Sequence, residues 1–86
     1  MEKKKELPKW FTQSGGVCYK SGDVVVNYLS GQSEELSNTE LSMYDYIKGC
    51  ELIAFQSNDA TIIKNFNKAI QWFRSNNPEA YMTLLD

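Results

Sequence analysis

Histidine is absent from this sequence, and cysteine and proline occur only twice each. Without an imidazole, the side chain most often used as a general base near neutral pH is missing, and neither Cys18 nor Cys50 has a partner of that kind to activate its thiol. Two cysteines in separate segments, with no CxxC spacing, cannot build an ordinary zinc site, so no metal and no cofactor is expected. In a reducing compartment both read as free thiols. Carboxylates such as Asp45 and Glu51 can pair, but a domain of this size has little room for the enclosed pocket that acid-base chemistry uses. The glycines in SGG, SGD and LSG lack the spacing of a phosphate loop, and Gly22 and Gly31 read as turn residues. The sequence therefore points away from an enzyme.

Long apolar runs are missing too. No segment approaches the roughly 20 apolar residues of a membrane span, and the opening MEKKKELPKWF lacks the apolar stretch of a secretory signal. The expectation is a cytoplasmic protein without a membrane partner. With 86 residues and 42% hydrophobic side chains, the chain is long enough for one domain, 1–86, with a small core. Its stability is expected to be modest, on the order of 4 to 13 kcal/mol.

The net charge of −2 is unevenly spread, with Lys3, Lys4, Lys5, Lys9 and Lys20 gathered in the first twenty residues and the acids dominating beyond them. Residues 1–6 read as a flexible terminus. Pro8 imposes an extended approach to Trp10 and Phe11, two large aromatics that fold back on a core as an anchor.

After Gly15 and Gly16, the segment VCYKSGDVVVNY reads as an antiparallel β-hairpin over 17–28, with Ser21 and Gly22 as its two-residue loop. That register places Val17, Tyr19, Val24, Val26 and Tyr28 on the core face and Val25 on the half-polar face. The EEL at 34–36 reads either as a short third strand or as loop. Ser37 and Glu40 spell a capping box, and a helix is expected over 38–56. Ser57, Asn58 and Asp59 close it and cap a second helix over 59–75. Asn77, Pro78 and Glu79 then start a short helix over 78–85. Two helices joined by a few residues make an antiparallel pair. The expected fold class is α+β: a hairpin packed on a helix pair plus a short C-terminal helix.

The helix over 38–56 carries apolar residues on two sides. Met43, Tyr46, Ile47, Cys50, Ile53 and Ala54 form one stripe, and Leu41, Tyr44, Leu52 and Phe55 lie roughly opposite. Such a helix is buried between two layers: both within this chain, or one of them supplied by another protein. The second helix has an ordinary core stripe of Ile62, Ile63, Phe66, Ala69, Ile70 and Phe73, with Trp72 beyond its edge. Tryptophan is frequent at binding hot spots and equally able to lie under the last helix.

Two binding classes remain. The favoured one is a protein-binding or self-associating module, a homodimer or a binder of another protein, with candidate interface residues Tyr44, Trp72, Leu41, Leu52 and Phe55. The alternative is nucleic-acid binding through Lys3, Lys4, Lys5, Lys9 and Trp10, opposed by the acidic remainder of the chain.

In LPKWF, NYLSGQSEEL, LSMYDYIKG and IQWFRSNNPEAYMTLLD, the sequence resembles small proteins of unknown function encoded by marine bacteriophages. The resemblance implies a protein made in the host cytoplasm that acts on a host or phage protein. It implies no site residue.

Overall fold

The structure is a computed structural model that describes residues 6–57 and 59–85, and all of their side chains except those of 54–57. Six elements follow one another: α1 (Lys9–Gln13), β1 (Asp23–Val26), β2 (Ser33–Leu36), α2 (Asn38–Ser57), α3 (Ala60–Asn76) and α4 (Pro78–Leu84). The fold is α+β, an antiparallel hairpin with four helices.

Local capping chemistry starts the three C-terminal helices. At α2 the Glu40 amide donates to the Ser37 hydroxyl at 3.3 Å, and the Ser37 amide donates to the Glu40 carboxylate at 3.0 Å. These two reciprocal bonds satisfy donors that a helix leaves without intrahelical partners. At α3 the Asp59 carboxylate accepts from the amides of Thr61 (2.8 Å) and Ile62 (3.4 Å). At α4 the Asn77 side-chain oxygen accepts from the Ala80 amide at 3.1 Å, with Pro78 in the first turn.

The short helix α1 stands where the sequence suggested only an aromatic anchor. Pro8 is extended and leads into it. Gly15, with φ of +89°, and Gly16 close it: the Gly15 amide donates to the Thr12 carbonyl and the Gly16 amide to the Phe11 carbonyl. That pair of bonds is a Schellman motif, and glycine suits its left-handed residue because it has no Cβ to clash. The anchor itself is real: Phe11 is completely buried, and its ring lies 5.3 Å from that of Tyr46.

The hairpin is formed by different segments from those expected. β1 pairs with β2, from Asp23 opposite Leu36 to Val26 opposite Ser33. The turn spans 27–32, where the Gly31 amide donates to the Asn27 carbonyl and Gly31 takes φ of +80°. Gly22 is no hairpin loop residue. It lies so close to β2 that a Cβ would overlap the Leu36 carbonyl oxygen.

Residues 17–20 instead cross the start of α2. The Tyr19 amide donates to the Ser42 hydroxyl at 2.8 Å, and that hydroxyl donates to the Asn38 carbonyl at 2.7 Å. Pairing with 33–36 also reverses the faces, as a shift of register does. Val25 packs against the core beside the buried Leu36, whereas Val17, Tyr19, Val24, Val26 and Tyr28 are all exposed.

The core unites Phe11, Leu36, Met43, Ile47, Ala69, Phe73, Ala80 and Leu84. α2 packs along α3, and α4 lies against α3 and β2. Within the α3 stripe, Ala69 and Phe73 are fully buried and Ile63 is exposed at its edge. The hairpin is tied to α4 by side chains: the Asn27 amide donates to the Thr83 carbonyl (2.8 Å), and the Thr83 hydroxyl donates to Glu34 (2.9 Å).

Phe11→Ala is expected to lower the unfolding free energy in urea by about 3 to 5 kcal/mol, the usual cost of an emptied aromatic core site. Gly22→Ala is expected to cost about 1 to 3 kcal/mol through steric overlap with β2. An unchanged urea midpoint for Gly22→Ala would mean that the chain does not approach Leu36 so closely.

Candidate functional site

The candidate interface residues separate into three groups. Leu41 and Tyr44 are half-buried against the core, with the Tyr44 ring 6.4 Å from that of Phe73 in α3. Leu52 is 68% exposed. Phe55 lies outside the described side chains. The second stripe of α2 is thus divided, its N-terminal part engaged within the chain and Leu52 open to solvent.

Trp72 is half-buried, and its indole N–H donates to the Glu6 carbonyl at 3.3 Å. Its hydrogen-bonding cover comes from the N-terminal segment, where the sequence offered either a partner or α4. Glu6 is accordingly tethered, although the sequence placed it in the flexible terminus.

Among the residues considered for nucleic acid, Lys3, Lys4 and Lys5 lie outside the described residues, and Lys9 is exposed. Trp10 packs against neighbours in its own chain: its ring is 6.4 Å from Phe11 and 6.0 Å from Tyr46, and Lys68 Nζ sits 5.6 Å from its centroid. A stacking platform for bases needs an uncovered ring face. Here a lysine stands over the indole.

Four exposed apolar side chains lie on the hairpin, Val24, Val26, Tyr28 and Leu29. Tyr28 and Leu29, in the turn, are 93% and 99% exposed. Val24 and Val26 project from the outward face of β1. Among the described residues β1 pairs with β2 alone, which leaves its other edge open. The Asn27 amide bonds the Gln32 carbonyl one step beyond the ladder, and the alternation of antiparallel bonding then directs the backbone groups of Val24 and Val26 toward that open edge. The Asp23 carboxylate takes the Val24 amide at 2.7 Å.

A second feature lies where the loop after α1 meets α2 and the start of α3. A cavity of about 580 Å³ opens there. It is an open cavity, with Val17 and Ile53 both exposed, and differs from the enclosed pocket that acid-base chemistry uses. Its apolar wall includes Val17, Ile53 and Ile62; Ser14, Tyr46 and Asn65 supply polar groups. The Asn65 amide donates to the Ser14 hydroxyl at 3.2 Å, and the Tyr46 hydroxyl interacts with Ser14, Asn65 and the Cys50 thiol. Among the described lining residues the one charged side chain is Asp45, which lies near the Tyr19 hydroxyl.

No family model matches the chain, nor does any curated protein or solved structure. The chemistry of the site therefore rests on its own geometry.

That geometry favours the neutral forms of Cys50, Tyr46 and Tyr19. Burial pushes the Cys50 thiol above its ordinary value, with the Tyr46 hydrogen bond opposing the shift. Burial also raises the Tyr46 phenol, reinforced by Cys50, and the hydrogen bond to Asp45 raises that of Tyr19. A protonated thiol is a poor nucleophile. Cys18, by contrast, is exposed.

Gly49 has no structural requirement for glycine. It sits near the middle of the twenty-residue α2, and a Cβ there would meet nothing within 4 Å. It lines the cavity.

Thiol labelling of the native protein is expected to modify Cys18 quickly and Cys50 only slowly. Equal rates would mean that Cys50 is accessible. All three raised groups bind protons more tightly in the folded chain, so their contribution to stability is intact below their ordinary values and falls as pH rises through them. The melting temperature is expected to drop between about pH 8 and about pH 11 in consequence; a flat profile would contradict these shifts. Gly49→Ala is expected to stabilise the protein by roughly 0.5 to 1 kcal/mol in urea, because alanine is the better helix former and nothing obstructs its methyl.

Proposed function

We propose that this chain is a non-enzymatic protein-binding module that associates with a second copy of itself through the outer face and open edge of its hairpin. The observation that carries this reading is the exposure of Tyr28 and Leu29, 93% and 99%, beside Val24 and Val26. Adjacent exposed apolar residues mark association surfaces when they form a contiguous patch.

The edge supports the same reading. A two-stranded sheet is marginal in water, and an unpaired edge is a template for another strand. β1 reads DVVV, with neither the lysine nor the proline that commonly blunts such edges.

A second copy is the occupant that fits. With a two-fold axis at Val25, two antiparallel β1 strands place Val24 opposite Val26, and Asp23 opposite Asn27. No like charges meet, and the joined hairpins make one four-stranded sheet with a ladder of valines on its outer face. Pairing requires Asp23 to release the Val24 amide, which limits the affinity. A reducing cytoplasm suits the two free cysteines. The absence of histidine and the protonated state of the Cys50 thiol support a non-enzymatic role.

Light scattering on a sizing column tests the reading. The mass is expected to rise with concentration from the 9.9 kDa of one chain toward about twice that value. Val26→Lys is expected to abolish the rise, Leu29→Ser to weaken it and Asp23→Ala to strengthen it. A constant 9.9 kDa at every concentration, or a Val26→Lys dimer, would overturn self-association through this edge.

A further inference from the structure

The cavity between the loop after α1, α2 and the start of α3 is separate from the hairpin surface and has a chemistry of its own. Its volume of about 580 Å³ lies within the range of small-molecule sites. Its wall is asymmetric: Val17, Ile53 and Ile62 provide apolar surface, whereas Asp45 is the one charged group among the described lining residues. Asp45 is exposed and lies near the Tyr19 phenol. Neither lysine nor arginine is among those lining residues to neutralise it.

Gly49 supplies the second observation. A glycine near the middle of a long helix is unfavourable, and a Cβ at this position would touch nothing, so packing within the chain does not call for it. What its missing side chain does provide is clear space along the cavity wall, where bare helix backbone can meet the flat face of a ligand.

We propose that this cavity binds a small aromatic amine, its ammonium group on the Asp45 carboxylate and its ring against Gly49 and the apolar wall of Val17, Ile53 and Ile62. The hydroxyl of Tyr46 and the side chains of Ser14 and Asn65 offer hydrogen bonds to polar substituents on the ring. An anionic ligand meets an uncompensated carboxylate there and is excluded. The proposal does not depend on self-association, since none of these residues belongs to β1 or to the turn that follows it.

The test uses the full chain and two probes that share a ring and differ in charge, tryptamine and indole-3-propionate, followed by amide chemical shifts. Tryptamine is expected to give saturable shifts confined to residues 13–17, 45–53 and 61–65, with indole-3-propionate at least about tenfold weaker. Asp45→Asn, at an exposed position, is expected to remove the preference between the probes, and Gly49→Leu to block both. The proposal is overturned if tryptamine gives no saturable shifts or moves the hairpin amides instead. It is also overturned if the two probes bind alike, or if Asp45→Asn leaves their ratio unchanged. Should Gly49→Leu fail to fold, the Asp45→Asn comparison still decides the outcome.

Discussion

Phe11 is completely buried, and it is presented by a helix of five residues. An isolated helix of that length does not persist in water, because nucleation costs more than so few hydrogen bonds return. α1 therefore exists because its ends are fixed and its aromatic residues dock: Pro8 leads in, Gly15 and Gly16 close it, and the Phe11 ring meets Tyr46. A Cβ at Gly16 would collide with that ring, so the loop presses directly on the anchor. Much else depends on this docking. It sets where the chain leaves for residues 17–22, how those residues cross the start of α2, and the gap beside α2 that becomes the cavity.

The helices over 38–57, 60–76 and 78–84 could be read from sequence because their starts are local chemistry. Ser37 with Glu40, Asp59, and Asn77 followed by Pro78 each satisfy backbone groups within a few residues, and the structure contains those hydrogen bonds. The hairpin was misread because Ser21 and Gly22 sit between two β-rich runs and mimic a two-residue loop. The turn that forms is longer and uses Gly31, and Gly22 answers a long-range demand, the approach of Leu36, that no local pattern contains. Choosing the wrong partner strand inverted every valine. α1 left a fainter signal, proline before and glycine after, over a span too short for helical periodicity to register.

The candidate surfaces were only partly legible for the same reason. The two apolar sides of α2 were visible in its sequence, but not how they would be covered. The structure covers them unequally. Tyr44 turns to Phe73 of α3, Tyr46 to the Trp10 and Phe11 rings, and Leu52 to solvent. Tyr28 and Leu29 were hidden by the wrong register, which placed Tyr28 in the core. The cavity could not be seen at all, because its wall is assembled from three segments distant in sequence.

Ser42 illustrates how polar groups govern this arrangement. It is buried to 1% exposure in the first turns of α2, at a position where an alanine or valine would add apolar contact. Its hydroxyl instead joins the Asn38 carbonyl to the Tyr19 amide. The net stability from such a bond is small, about 1 kcal/mol, and leaving the Tyr19 amide unpartnered there would cost a similar amount or more. What the hydroxyl gains is position. It fixes the crossing of residues 17–20 over α2, and that crossing sends Tyr19 toward Asp45 on one side and delivers Asp23 to β2 on the other. A purely apolar contact has no preferred direction and would let this segment slide. The polar bridge ties it to one register, and it acts with the Phe11 anchor in placing β1 and the Asp45 wall of the cavity.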